Sequence, residues 1–129
     1  MISDIIKDSA KRAPAEACGF ILDTEYMALD NISSNPTETF LIDPKMYLKL
    51  KSRIIAIVHS HPCGSAPSIQ DKYSCNAGTI PWVIHSIDKI YVLYPEEYLD
   101  NSKVDTLHYL LEREGFTYDN LESAWTLSP

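Results

Sequence analysis

Ile54-Ile55-Ala56-Ile57-Val58-His59-Ser60-His61-Pro62 is the stretch that decides the fold. Its first five residues are all apolar and mostly β-branched, the composition of a strand covered on both faces. Such a strand belongs near the centre of a sheet. It runs directly into two histidines at i and i+2, and period two puts both imidazoles on one face while Ser60 points to the other. Pro62 then ends the strand. Ligand sites in α/β proteins sit at such strand ends.

The flanking chain alternates between helix and strand signals. Ile2, Ile5, Ile6 and Ala10 lie at helical spacing ahead of Pro14. Cys18–Leu22 predicts a short apolar strand, Tyr26–Ile32 a second, and Thr39–Ile42 a third, with turn residues over 31–35. Asp43 followed by Pro44 predicts a capped helix to about Lys51. Beyond the central strand, Ser68-Ile69-Gln70-Asp71 opens a helix to about Gly78. Residues 81–86 and 89–94 form a hairpin around Ile87-Asp88. A last helix over 102–114 carries Val104, Leu107, Leu110 and Leu111 on one face, with Gly115 as its stop. The expected architecture is a single α/β domain over 1–129, with a mixed central sheet flanked by helices. Residues 117–129 are expected to be a loosely ordered tail.

Composition limits the function classes. The chain has a formal net charge of −7, and from Pro95 onward eight acids face only Lys103 and Arg113, so the negative charge concentrates there. Nothing makes a basic footprint, which argues against nucleic acid as a partner. No apolar run reaches the roughly 18 residues that a membrane span needs. The N-terminus mixes charge into its apolar pattern and does not read as a signal peptide. The expectation is a soluble protein. Three scattered cysteines, Cys18, Cys63 and Cys75, contain no CxxC pair and read as free thiols.

His59 and His61 supply two nitrogen ligands for zinc on one face, although an HxH pair alone is weak evidence. Asp71 follows ten residues after His61, across a loop holding Pro62, Gly64 and Pro67. A carboxylate there completes three protein ligands and leaves the fourth tetrahedral position to water, the catalytic arrangement. Ser68 and Asp71 also form a capping box, and capping alone would explain both. The two readings are compatible. Ser68 is placed to donate to a developing oxyanion. Glu16 is a candidate base, but an isolated Glu between Ala15 and Ala17 carries no signal of its own. Cys63 could be a fourth ligand or a nucleophile, while Cys18, His85 and His108 read as structural. Pro62-Cys63 does not continue as a deaminase PCxxC, because Ala66 stands where the second cysteine would be.

Taken together, 14–21 (PAEACGFI), His59-Ser60-His61-Pro62 and Pro67-Ser68-Ile69-Gln70-Asp71 resemble the three-part signature of the JAB/MPN (JAMM) metallopeptidases. That signature is a Glu before a Cys-Gly strand, an HxHP and an SxxD. The resemblance implies a JAB/MPN, cytidine-deaminase-like sandwich and a zinc ion held by His59, His61 and Asp71. It also implies Glu16 as general base and Ser68 as oxyanion donor, with a peptide or isopeptide bond as the target. Residues 71–86 are similar to the JAB domain of phage tail-tip assembly proteins, which carry a C-terminal NlpC/P60 peptidase. The sequence ends where that second domain would begin, so a stand-alone JAB domain is expected. With six residues between His61 and Ser68, the loop is one shorter than the family's usual spacing. The alternatives are a non-catalytic assembly module with tail-tip proteins as partners, and a deubiquitinase-like isopeptidase. The second is disfavoured because the chain after Asp71 goes directly to the next strand.

Overall fold

A computed structural model of the protein describes residues 1–87, 89–96, 101–114 and 119–121. Its elements are α1 (Ile2–Arg12), β1 (Cys18–Leu22), β2 (Glu25–Leu29), α2 (Pro44–Leu50), β3 (Ile54–Ser60), α3 (Ile69–Asn76), β4 (Trp82–Ser86), β5 (Lys89–Leu93), α4 (Asn101–Arg113) and β6 (Asp119–Leu121). The strands form one sheet in the order β2-β1-β3-β4-β5-β6. β1 pairs antiparallel with β2 and β3, and β4 antiparallel with β5. The β3–β4 and β5–β6 pairs are parallel, so the sheet is mixed. No described helix is long and apolar enough to cross a membrane.

Period-two alternation sorts the strand residues between two helical layers. Ile21, Val58, Val83, Ile90 and Val92 pack with Ile2 and Ile5 of α1 and with Val104, Leu107, Leu110 and Leu111 of α4. Phe20 and Leu22 face Leu50 of α2 on the other side, joined by Ile54 beyond a register shift in the β1–β3 pair, while Trp82, Ile84 and Leu93 face Cys75 of α3. β3 is covered on both faces, as its apolar run predicts, and Ile57 is its one half-buried residue.

Two expectations about strands fail for local reasons. β2 stops at Leu29, short of Ile32, because β1 begins at Cys18 and Cys18 pairs with Leu29; no residue of β1 is left beyond it, and the Ile32 amide donates instead to the Leu41 carbonyl at 2.9 Å. Thr39–Ile42 is not a strand. The Asn31 side chain takes the place of a neighbouring strand there: its Nδ2 donates to the Thr39 carbonyl and its Oδ1 accepts from the Leu41 amide. The segment is thus fixed by an amide side chain and lies beside the end of β3. β6 is a third difference, a three-residue pairing with β5 inside the stretch expected to be a loose tail. The hairpin residue Asp88, the helix stop Gly115, and residues 117–118 and 122–129 of that stretch lie outside the described residues.

Gly19 has a steric reason. A Cβ at this position would lie 2.2 Å from the Met27 carbonyl oxygen and 2.7 Å from the Tyr26 ring. The first obstacle is backbone of the paired strand and cannot swing away. Overpacking costs about 1–3 kcal/mol, occasionally more, and Gly19→Ala is expected at or above the upper end because β2 must move as a whole. Urea denaturation measures this; a loss below about 0.5 kcal/mol would mean that β2 yields without resistance.

Candidate functional site

The end of β3 carries the chemistry. Ile57 and His59 point to the α2/α3 side of the sheet, and the chain continues that way to His61. The segment before β1 is pinned alongside by Ser60, whose amide donates to the Ala17 carbonyl (3.0 Å) and whose Oγ accepts from the Ala17 amide (2.8 Å). The Glu16 amide donates to the Pro36 carbonyl at 2.7 Å, and Asn31 Nδ2 donates to the Glu16 carbonyl at 3.0 Å. Glu16 is therefore held through its own amide and carbonyl, with Ala17 pinned beside it, next to the histidines.

α3 brings the fourth side chain. Ser68 is its N-cap, with Oγ accepting from the Asp71 amide at 3.1 Å, and Asp71 Oδ2 accepts from the Ser68 amide at 2.8 Å. This is the expected capping box. The same carboxylate faces the strand end: Oδ1 lies 3.1 Å from His59 Nε2, and Oδ2 lies 3.1 Å from His61 Nε2. The two Nε2 atoms are 3.2 Å apart. Glu16, His59 and His61 each offer a ligand atom within 4.8 Å of the others, a group able to hold a metal ion. All four residues are buried, with relative exposures of 7% (Glu16), 1% (His59), 7% (His61) and 8% (Asp71). The structure thus brings together Glu16, His59, His61 and Asp71, with Ser68 at the rim of the same groove.

The two rings are oriented differently. His61 Nδ1 donates to the Ser65 carbonyl at 3.0 Å, which fixes the proton on Nδ1 and leaves Nε2 to face Asp71. His59 Nδ1 has no hydrogen-bond partner among the described residues. Packing holds that ring instead: Phe40 stacks on it at 4.3 Å and 18°, and Trp82 meets it edge-on at 5.4 Å. Phe40 and Trp82 also line a groove of about 1080 Å³ with Glu16, His61, Ser68 and Asp71. These two aromatics were read from sequence as strand residues, and no local pattern marks them as site walls. Cys63 is exposed on the groove wall with Sγ 3.4 Å from Ser65 Oγ, and Cys18 is buried in β1. His85 contacts Ser9 Oγ at 3.0 Å, and His108 meets the Tyr94 hydroxyl, both away from the groove.

The environment separates the two carboxylates. Burial pushes Glu16 up to about 7 from its ordinary 4.5; Asp71 adds to the rise, and His61 opposes it. Burial also opposes the charge on Asp71, but hydrogen bonds from His59 and His61 outweigh it and hold the carboxyl well below the usual range. Burial lowers His59. For His61 burial is overcome by the hydrogen bonds to Asp71 and the Ser65 carbonyl, which push it up to about 9.

A family described as prokaryotic homologues of the JAB domain matches residues 1–98. The tail tip assembly protein K of Escherichia phage N15 is 36% identical over 92 residues, which is 66% of this chain and 38% of that protein. The chain thus spans well under half of that relative's length. The solution structure of a Desulfitobacterium hafniense protein matches with a TM-score of 0.59 at 19% identity, over 79% of this chain and 92% of that one. This last likeness is one of fold alone.

The raised Glu16 value makes a stability prediction. A carboxyl whose folded-state value lies above its unfolded value gives full stability below about pH 4.5 and loses it as pH rises through about 7. Glu16→Gln removes that loss. In chelator, the variant is expected to be more stable than the wild type at pH 8.5 by on the order of 1–3 kcal/mol, and nearly equal at pH 4.5. Thermal unfolding followed by circular dichroism reads both; a less stable variant at pH 8.5 would show that a partner compensates the charged carboxylate.

Proposed function

Because the chain belongs to the family of prokaryotic homologues of the JAB domain, we propose that it is a zinc-dependent hydrolase of peptide or isopeptide bonds. His59, His61 and Asp71 hold the metal, and Glu16 is the general base. The observation that carries this reading is the convergence at a buried strand end of two Nε2 atoms 3.2 Å apart and one carboxylate with an oxygen 3.1 Å from each of them. Zinc bonds of about 2.0–2.1 Å place neighbouring tetrahedral donors roughly 3.3 Å apart, so the spacing fits that ion. Two nitrogens and one oxygen also match the donor types of catalytic zinc.

Their electrostatics support Asp71 as ligand and Glu16 as base. Asp71 stays ionised and is fixed by the α3 cap, as a permanent ligand requires. Glu16 titrates at about 7 and is suited to taking and returning a proton near neutral pH. When bound, zinc supplies Lewis acidity and lowers the pKa of water to about 7. Glu16 then takes the proton of the attacking water and delivers it to the leaving amine. Ser68 Oγ spends one lone pair on the Asp71 amide and keeps its proton, free to donate to the oxyanion. The groove between Phe40 and Trp82 on one side and Pro62-Cys63 on the other receives the substrate chain.

A second reading, a non-catalytic module in phage tail assembly with tail proteins as partners, is favoured by the identity to the phage relative. Metal content and turnover separate the two. The hydrolase reading expects about one zinc per chain, retained by Glu16→Gln and Ser68→Ala and lost by His61→Ala and Asp71→Ala. Activity is to be sought on a panel of peptide, isopeptide and peptidoglycan-derived amides. Glu16→Gln is expected to lower it by about 10²–10⁴-fold. Zinc binding without turnover of any of these amides would favour the assembly module. A wild type that binds no zinc would remove the assignment. Chelation is expected to leave the far-UV circular dichroism intact, since this core does not need the metal to fold; collapse of that signal would make the site structural.

A further inference from the structure

The loop from Pro62 to Pro67 connects the histidine strand to α3, and residues 63–66 in it are exposed. Few bonds tie it to the sheet. The His61 amide donates to the His85 carbonyl at 2.8 Å, and the Gly64 amide to the His61 carbonyl at 2.9 Å. Gly64 has φ +82° and lies against Ile87, whose Cδ1 would be 2.9 Å from a Cβ placed there. The remaining tie is Ser86. Its Oγ, on the same face of β4 as Trp82 and Ile84, donates to the Ser65 carbonyl at 2.7 Å. Ser86 is 1% exposed, so this bond is shielded from water.

That carbonyl is the acceptor of His61 Nδ1. Both of its lone pairs are therefore in use, one by the ring and one by Ser86. The ring has a second neighbour: Ser65 Oγ lies 3.3 Å from the same Nδ1. The two neighbours differ in kind. A carbonyl only accepts and keeps a proton on Nδ1, so the proton a metal displaces is the one Nε2 shares with Asp71. A hydroxyl can also donate to Nδ1, which lets the proton sit on Nε2 and block it. Which neighbour wins is decided by what holds the carbonyl in place on an otherwise exposed loop.

We propose that Ser86 is a positioning residue for His61: it clamps the Ser65 carbonyl against Nδ1 and so keeps Nε2 directed at the metal position. This rests on the reading of His61 as a zinc ligand. The experiment has one readout that needs no metal. In chelator, the hydrogen-bonded Nδ1–H of His61 is expected as a slowly exchanging low-field proton resonance. In Ser86→Ala it is expected to broaden through exchange with water while the backbone amide spectrum stays folded. Direct outer-shell partners typically contribute about 10–100-fold to metal affinity; one bond further out, Ser86→Ala is expected to weaken zinc binding roughly three- to tenfold. Ser86→Thr keeps the hydroxyl and is expected to hold both readings near wild type. Ser86→Cys, of similar size and a much weaker donor, repeats the test should alanine disturb the packing. An unchanged Nδ1–H signal and zinc affinity in Ser86→Ala would overturn the proposal, as would equal losses in the alanine and threonine variants. A wild type without zinc affinity would sink the hydrolase reading alone, since the proton resonance still decides the role of Ser86.

Discussion

Asp71 accepts from two buried imidazoles while capping α3, and the arrangement of the strand end depends on that one carboxylate. Three polar side chains leave water together, and each would be expensive to bury alone. Asp71 Oδ2 faces both the Ser68 amide and His61, and Oδ1 faces His59. The helix cannot start elsewhere without abandoning the histidines, and the histidines cannot turn away without leaving a buried anion unpaired. The six-residue loop from His61 to Ser68 has to close this circuit, which explains why it is short, bears two prolines and turns at Gly64 in a conformation that favours glycine.

Much of this frame is legible in the chain because the signals are local. The apolar run of 54–58, the alternation through His59 and His61, the Asp43-Pro44 start and the Ser68–Asp71 box each lie within a few residues, and each appears where expected. Glu16 is different. Its surroundings come from Pro36, Asn31 and Ser60, far along the chain, so burial and a raised pKa leave no trace near residue 16. Only the resemblance of the combined motifs pointed to it. Phe40 was read as strand because its neighbours are apolar and β-prone, whereas the Asn31 amide satisfies that backbone from the side and frees the ring to cover His59. Ser86 carries no local signal either, since its partner, the Ser65 carbonyl, is 21 residues away.

Two histidines at i and i+2 thus reach the same place by different means. His61 is held by a hydrogen bond to a carbonyl, and His59 by aromatic faces that offer Nδ1 nothing. A ring fixed only by packing keeps its orientation but not a defined proton position, whereas a ring bonded to a carbonyl has both. The asymmetry makes His61 the better-defined donor, and it puts weight on the small polar residues behind the exposed loop.

Glu16 is the residue on which the proposed chemistry turns. No hydrogen bond holds its carboxylate among the described residues, and burial is the main cause of its raised value. At neutral pH and above, such a group opposes folding, since the cost of burying its charge exceeds what nearby His61 returns. Asp71, buried to the same degree, returns two histidine contacts and a helix cap. Glu16 returns no comparable bond to the fold, and a glutamine or leucine there would fit more cheaply. A carboxyl kept near neutrality beside two imidazoles and an ionised aspartate is the separation of acid and base roles that proton transfer at a metal-activated water requires. That separation is what the proposed hydrolase would use, whereas the alternative assembly module would not need it.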